Sequence, residues 1–438
     1  MSTKRDMLDD IIDIKQDLSA LSQPLGQITQ VLTGDKNSVR VFDPRDYKEK
    51  PRANALSCLN VGAYNAYRAE GVGAHTTCAC HACMDVCPVD AIDIKGSTVK
   101  IADTCRACGL CISACPTEAF IVSRFMAKSL YDRIAKVASM YEVCYITCTR
   151  ALGKLPRPNE ILLPCLGVVP REVWIALLQE YSNISVYLPV GVCDKCKTTT
   201  GELAYTDEIG AAEEFIGKEV GIEVDRHNLN HDMSRAFLRQ EFLRDVGRAG
   251  QTLLAAQNPV YAGVQAVTRK IQKHSNDLFE LQCTLEKALG DTTTSYNHRI
   301  LTQKRKLLLS VIQKNPQLAA HYKEQNLIPV CDMSACTVCS ACTRVCPVNA
   351  CNLDEHGRFS VQTAYCVNCS ACALVCPEQC IVMKQGDTHE LIVRDEEAIR
   401  LQKEALERKE RVAKIKERTR KQVERGLRVL EHLGEDNS

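Results

Sequence analysis

Apolar and polar positions change rhythm several times along the chain. Between about 126 and 227, "SLYDRIAKVASMY" (129–141) spaces its apolar residues for one face of a helix, and "EVCYITC" (142–148) is a strand-like run. "EILLPC" (160–165) predicts a second strand, "PREVWIALLQEY" (170–181) a helix with Pro170 at its start, and "ISVYLPVGVC" (184–193) a third strand. A helix around "GAAEEFIGKE" and a short "GIEVD" strand close the segment. Strands alternating with helices imply a parallel sheet. Residues from about 228 to 325 are long helical patterns with few breakers, which predict a bundle or arm bridging the two halves. An amphipathic helix is expected around "MLDDIIDIKQDLSAL" (7–21), followed by a loop-rich lead-in, and one charged helix from about 394 to the end.

The rhythm breaks twice into runs of cysteine. "CTVCSACTRVCPVNA" (336–350) and "CVNCSACALVCPEQC" (366–380) are copies of one another, and "CRACGLCISACPTEA" (105–119) is a further copy. A fourth run reads Cys80-x2-Cys83-x3-Cys87-Pro, but Thr77 stands where the spacing calls for a thiol, and Cys78 follows one residue late. Three thiolates in one tight loop can cap three irons of a cubane cluster, while the cysteine before proline ligates the other cluster of a pair. Zinc is the competing reading of any CxxC pair, but zinc sites rarely repeat four cysteines at this rhythm.

These motifs resemble the bacterial two-cluster ferredoxin over roughly 70–123 and 328–385. The resemblance implies that Cys336, Cys339, Cys342 and Cys376 hold one 4Fe-4S cluster and Cys366, Cys369, Cys372 and Cys346 another. In the N-terminal unit it gives one cluster to Cys105, Cys108, Cys111 and Cys87. The remaining cluster has Cys80, Cys83 and Cys115 and needs a further ligand, for which Cys78 is the nearest candidate. A one-residue shift moves a side chain by ~3.3 Å along an extended chain, and Gly71 and Gly73 would help the loop absorb it. A three-iron cluster, a ligand such as His75 and a distant thiol such as Cys58 are the alternatives. His81 reads as a solvated loop residue. Cys331, Cys351 and Cys380 fall outside the pattern and read as small buried hydrophobes.

In the middle segment Cys148, Cys165, Cys193 and Cys196 fall at the carboxyl ends of the three expected strands, the edge where parallel sheets bind ligands. Four thiols gathered there suffice for a 2Fe-2S cluster or a zinc ion, and strand alternation makes Cys144 a substitute. The order "PCLG…REVW…GVCDKC" resembles the small iron-sulfur (delta) subunit of methyl-viologen-reducing hydrogenase, which relays electrons to heterodisulfide reductase. A thioredoxin-like dithiol at Cys193 and Cys196, or ordinary buried cysteines, are the competing readings.

Together these readings predict a multidomain α+β protein, with two ferredoxin-like dicluster domains flanking an α/β parallel-sheet domain and a helical arm, and a C-terminal charged helix. The expected divisions are 1–60, an N-terminal helix and loop-rich extension; 61–125, a dicluster domain; 126–227, the α/β domain; 228–325, the helical linker; 326–390, the second dicluster domain; and 391–438, the charged helix.

Composition narrows the function. The 26 cysteines in 438 residues, packed into tight runs, point to metal or redox chemistry in a cytosolic chain sooner than to disulfides. A net charge of +1 carries no signature for nucleic acid, and the tail, with twelve Lys or Arg and five Glu between Arg400 and Arg428, reads as a solvated helix that docks on a partner or on its own bundle. No apolar stretch approaches a membrane span, and the start has no apolar signal core, so a cytoplasmic location is expected. No phosphate loop, catalytic triad or paired catalytic carboxylates stand out. The expectation is an electron-transfer protein serving redox partners or an anaerobic oxidoreductase as a subunit or carrier, with no catalytic residues of its own. Its rival is an enzyme whose α/β domain reduces a disulfide or flavin-linked substrate through Cys193 and Cys196.

Overall fold

The computed structural model describes residues 49–70, 80–153, 155–234, 273–274, 277–278, 281 and 299–392. The expected helix at 7–21, Gly71, Gly73, His75 and Cys78, most of the helical stretch 228–325 and the charged tail lie outside the described residues.

The first cysteine-rich unit starts before the expected boundary at 61. Strand β1 (Arg52–Ala53) pairs antiparallel with β4 (Phe120–Ile121), which lies beyond the last cysteine of the unit. Helix α1 (Leu59–Glu70) follows β1, and the single-turn helix α2 (Ala82–Asp85) carries Cys83. An inner hairpin of β2 (Ile92–Lys95) and β3 (Thr98–Ile101) turns at Gly96 and separates the two cysteine loops. The short helix α3 (Leu110–Ala114) then leads to Cys115.

The α/β domain forms because three of its four strands are buried on both faces. Helix α4 (Ala127–Met140) buries Leu130, Tyr131, Ile134, Val137 and Ala138, the stripe that its spacing predicts. Strand β5 (Cys144–Cys148) is buried at every position. The single turn α5 (Thr149–Leu152) separates it from β6 (Glu160–Leu163). Helix α6 (Arg171–Glu180), whose N-cap is Pro170, places Trp174 fully inside, and β7 (Ile184–Tyr187) follows it. Helix α7 (Gly201–Ile216) is longer than the sequence pattern predicts, ends on left-handed Gly217 and leads to β8 (Gly221–Glu223). The four strands form one parallel sheet in the order β6-β5-β7-β8, with Cys148 opposite Leu163 and Ile146 opposite Val186. Strands buried on both faces read as mostly apolar runs, which is why β5, β6 and β7 were legible, whereas edge strand β8 is exposed at Gly221 and Ile222.

Helix α8 (Gln303–Lys314) joins the two cysteine-rich units through adjacent residues. Glu118 accepts the Gln303 and Lys304 amides at 3.0 and 2.8 Å, a carboxylate placed at a helix N-terminus. Buried Lys304 donates to the Ser113 and Cys115 carbonyls at 2.5 and 2.9 Å. Buried Arg305 turns the other way and donates to the Ala364 and Thr363 carbonyls at 3.0 and 2.8 Å.

The C-terminal unit repeats the plan of the first. Strand β9 (Leu327–Cys331) is paired with β12 (Ile381–Gln385), the outer pair. Helix α9 (Ala341–Val345), the hairpin β10 (Cys351–Leu353) and β11 (Phe359–Val361), and helix α10 (Ala371–Leu374) lie between them.

Candidate metal centres

Three of the four cysteine loops share one backbone. Ala107 and Gly109 flank Cys108 at φ 53° and 81°, Val338 and Ser340 flank Cys339 at 57° and 63°, and Asn368 and Ser370 flank Cys369 at 55° and 59°. Left-handed backbone is costly for most residues, and for a β-branched one such as Val338 it is a true outlier, about 1–3 kcal/mol that the surroundings must offset. The alternation curls each loop inward, so that the Val338 amide donates to Cys336 Sγ at 3.4 Å and the Ala107 amide approaches Cys105 Sγ at 3.5 Å. A second shared device follows each Cys-Pro pair. Asp90, Glu118, Asn349 and Gln379 are left-handed there, and the amides of Ala91, Ala119 and Ala350 donate to Cys87, Cys115 and Cys346 Sγ at 3.2, 3.3 and 3.2 Å. Loops that aim N–H groups at their own sulfurs suit an anionic, sulfur-ligated group.

The thiols gather in five places. Cys87, Cys105, Cys108 and Cys111 line one apolar hollow with Ile92, Ile101 and Leu110. Burial pushes the Cys111 thiol above the ordinary range, and Cys108, Cys105, Cys83 and Cys87 add to it. Cys80, Cys83 and Cys115 group separately: burial pushes Cys83 up to about 12, with contributions from Cys115, Cys80 and Cys58. Cys336, Cys339, Cys342 and Cys376 line a hollow that also takes in Cys331 and Cys380. In the last cysteine-rich grouping, burial raises Cys369, and Cys346, Cys366 and Cys372 raise it further. Buried neutral thiols of this kind ionise readily only beside a cation, which is what iron or zinc supplies.

The fifth place is the carboxyl edge of the sheet. Cys148, Cys165, Cys193 and Cys196 line one hollow with Tyr205, Glu202 and Gly201. Cys148 ends β5, Cys165 follows β6, and Cys193 and Cys196 lie in the turns after β7, which stops at Tyr187 and not at Cys193 as the pattern predicts. Burial pushes Cys165 up to about 12, with Cys148, Cys108 and Cys196 adding to it. Gly201 makes room for the sulfur, since a Cβ there would lie 2.7 Å from Cys165 Sγ. Cys144 does not belong to this group. It is fully buried at the opposite end of β5, with its thiol 3.9 Å from the Ile134 carbonyl of α4. Alternation puts it on the same face as Cys148, but four residues of strand separate the two by about 13 Å.

Residues 98–121 match the family of 4Fe-4S binding domains. The matched stretch contains Cys105, Cys108, Cys111 and Cys115. The chain therefore carries an iron-sulfur domain of ferredoxin type, and with its clustered thiols this supports an electron-transfer role. No curated protein and no solved structure matches the chain. Among the described residues no helix is long and apolar enough to cross a membrane.

The three cysteines outside the motif are indeed half-buried or buried, but they do more than fill space. Cys380 Sγ lies 3.3 Å from Cys376 Sγ and 3.6 Å from Cys331 Sγ, and Cys331, Cys336 and Cys380 hold their sulfurs within 4.8 Å of one another. A hydrogen bond from the Cys351 thiol holds Cys346 down at about 6, against the effect of burial. The sequence signal was present, since Cys380 stands where the other three runs have Ala91, Ala119 and Ala350.

Proposed function

We propose that this chain is an iron-sulfur electron-transfer protein of polyferredoxin type, relaying single electrons through up to four 4Fe-4S clusters as a subunit or carrier for an oxidoreductase. The observation that carries the reading is the left-handed, inward-curled backbone repeated at Cys108, Cys339 and Cys369. The residues that would hold clusters are Cys87, Cys105, Cys108 and Cys111; Cys336, Cys339, Cys342 and Cys376; Cys346, Cys366, Cys369 and Cys372; and Cys80, Cys83 and Cys115 with one more ligand. Cys148, Cys165, Cys193 and Cys196 would hold a 2Fe-2S cluster or zinc. Bound clusters would supply one-electron oxidation and reduction at potentials set by ligands, hydrogen bonds and solvent access. The protein's own part is to fix the thiols, aim amides at their sulfurs and exclude water.

The α/β domain sits against the N-terminal cysteine loops, which supports including it in the relay. Ser113 donates to the Gly167 carbonyl at 2.5 Å, Thr200 donates to the Val86 carbonyl at 2.7 Å, and Cys165 interacts with Cys108 across the junction. The dithiol-reductase reading has weaker support, because Cys148 and Cys165 crowd the hollow that holds Cys193 and Cys196. Iron, acid-labile sulfide and zinc per chain, on protein purified without oxygen, test the proposal. About 16 irons mean four cubane clusters, and about 18 add a two-iron centre in the α/β domain. Little iron after reconstitution would overturn it.

A further inference from the structure

We infer that Cys58, outside every cysteine run, is the thiol that completes the centre of Cys80, Cys83 and Cys115. The inference rests on the iron-sulfur reading above. Its first ground is that the opening run does not curl as the others do. Gly109, Ser340 and Ser370, which follow the middle cysteines of their loops and cap the next helix, are all left-handed, whereas His81, which follows Cys80 and caps α2, has φ −111°. The backbone that brings three thiols of one loop round a common centre is therefore missing at this point among the described residues, and a ligand from elsewhere has to take the place.

The second ground is how tightly the flanks of Cys58 are fastened to the other members. Asn60 binds Cys80 from both sides: its Nδ2 donates to the Cys80 carbonyl at 2.8 Å, and its Oδ1 accepts the Cys80 amide at 3.3 Å. The Ser57 carbonyl accepts the Thr117 hydroxyl at 2.5 Å, and that same hydroxyl lies 3.5 Å from Cys115 Sγ. The Asn54 amide donates to the Ala119 carbonyl at 2.7 Å, extending the pairing of β1 with β4 toward Cys58. Residues one before and two after Cys58 are thus each held to a neighbour of the grouped thiols. Cys58 itself is 8% exposed and sits at the junction of the turn Ala55–Ser57 with helix α1. Cys83 senses Cys58 along with Cys115 and Cys80, which agrees with this placement.

The test compares Cys58→Ser and Cys78→Ser with the unsubstituted full chain after anaerobic reconstitution, reading iron, sulfide and the EPR spectrum. Cys58→Ser is expected to lose about four irons, or about one with the appearance of the isotropic signal of an oxidised three-iron cluster, while Cys78→Ser keeps the full complement. The reverse pattern, or full iron in Cys58→Ser, overturns the inference and leaves the electron-transfer reading standing. Little iron in the unsubstituted chain overturns both. A second measurement does not depend on how the variants fold: alkylation of the iron-loaded chain, read by mass spectrometry. Modification of Cys78 at full iron content supports Cys58, and protection of Cys78 that is lost on chelation overturns it.

Discussion

In the C-terminal unit both cysteine loops are left-handed on either side of their middle thiol, at Val338 and Ser340 and at Asn368 and Ser370, and three additional thiols crowd against them. In the N-terminal unit the loop at Cys108 has the same backbone, while the run at Cys80 does not, and among the described residues an additional thiol that acts on Cys83, Cys58, comes from the segment before α1. The two units otherwise share an outer strand pair and an inner hairpin. The difference teaches that local spacing builds a complete set of thiols only when every residue of the loop can take its unusual conformation. Where one cannot, tertiary contacts can bring a substitute thiol, and no short motif announces it.

The comparison can be pressed hardest on the loops themselves. Cys108→Ser and Cys369→Ser, one in each unit, are each expected to lose about four irons without emptying the other unit, as counted by iron and sulfide analysis. Loss of all iron from either variant would show that the units do not fold around their clusters independently.

A smaller effect separates the surroundings of two equivalent loop positions. Ser340 and Ser370 carry a side chain at φ 63° and 59°, but a Cβ on Gly109 would collide with Val168 of the α/β domain. Gly109→Ser is expected to cost about 1–3 kcal/mol in unfolding of the loaded protein, as overpacking typically does, whereas Ser340→Gly changes stability by less than about 1 kcal/mol. Equal effects would mean that the docking of the α/β domain at Gly109 is loose.

Helix α8 offers a third comparison, because adjacent residues hold the two units. Lys304→Met removes the donor to the Ser113 and Cys115 carbonyls and Arg305→Met the donor to the Thr363 and Ala364 carbonyls, each at about 1–3 kcal/mol. Hydrogen exchange should show the first loosening residues 110–119 and the second loosening 360–370. Cys351→Ala and Cys380→Ala are milder still: each keeps the full iron content, costs about 1 kcal/mol of packing, and is detected as a shift in the midpoint potential of its own unit.

The smallest expected effect is one of pH. His274 stacks on Tyr131 and lies within 3.4 Å of Lys314, and burial together with that ammonium pushes its pKa down to about 4. A buried imidazole held neutral favours folding less as it is forced to protonate. Its contribution is therefore present above the ordinary histidine range and is lost as pH falls from about 6.5 towards 4. The C-terminal unit has no corresponding group at α8 among the described residues, so acid unfolding of the α4–α6–α8 junction should precede any change there. His274→Phe should flatten that pH dependence.

The parallel sheet could be read from sequence because its strands are short, mostly apolar runs between helices of regular period, and the cysteine repeats because their spacing is a property of the chain alone. The boundary at 61 could not, because what ties residues 52–58 to the first unit is strand pairing and hydrogen bonding across sixty residues or more. Cys144 was misplaced because alternation fixes the face of a strand and not the distance along it. The roles of Cys331, Cys351 and Cys380 as neighbours of other thiols depend on strand and loop partners that a pattern of alanine-like positions does not name.

The sequence by itself determined which thiols are close in the chain, how the sheet alternates with helices, and that the chemistry is that of clustered sulfur. Only the tertiary structure decided which loops curl, where the α/β domain docks, and that the segment carrying Cys58 is fastened to Cys80 and to the residues after Cys115. The reason is physical: spacing sets what a few residues can reach by their own backbone torsions, whereas a grouping between distant segments depends on packing and hydrogen bonds that exist only once both have folded.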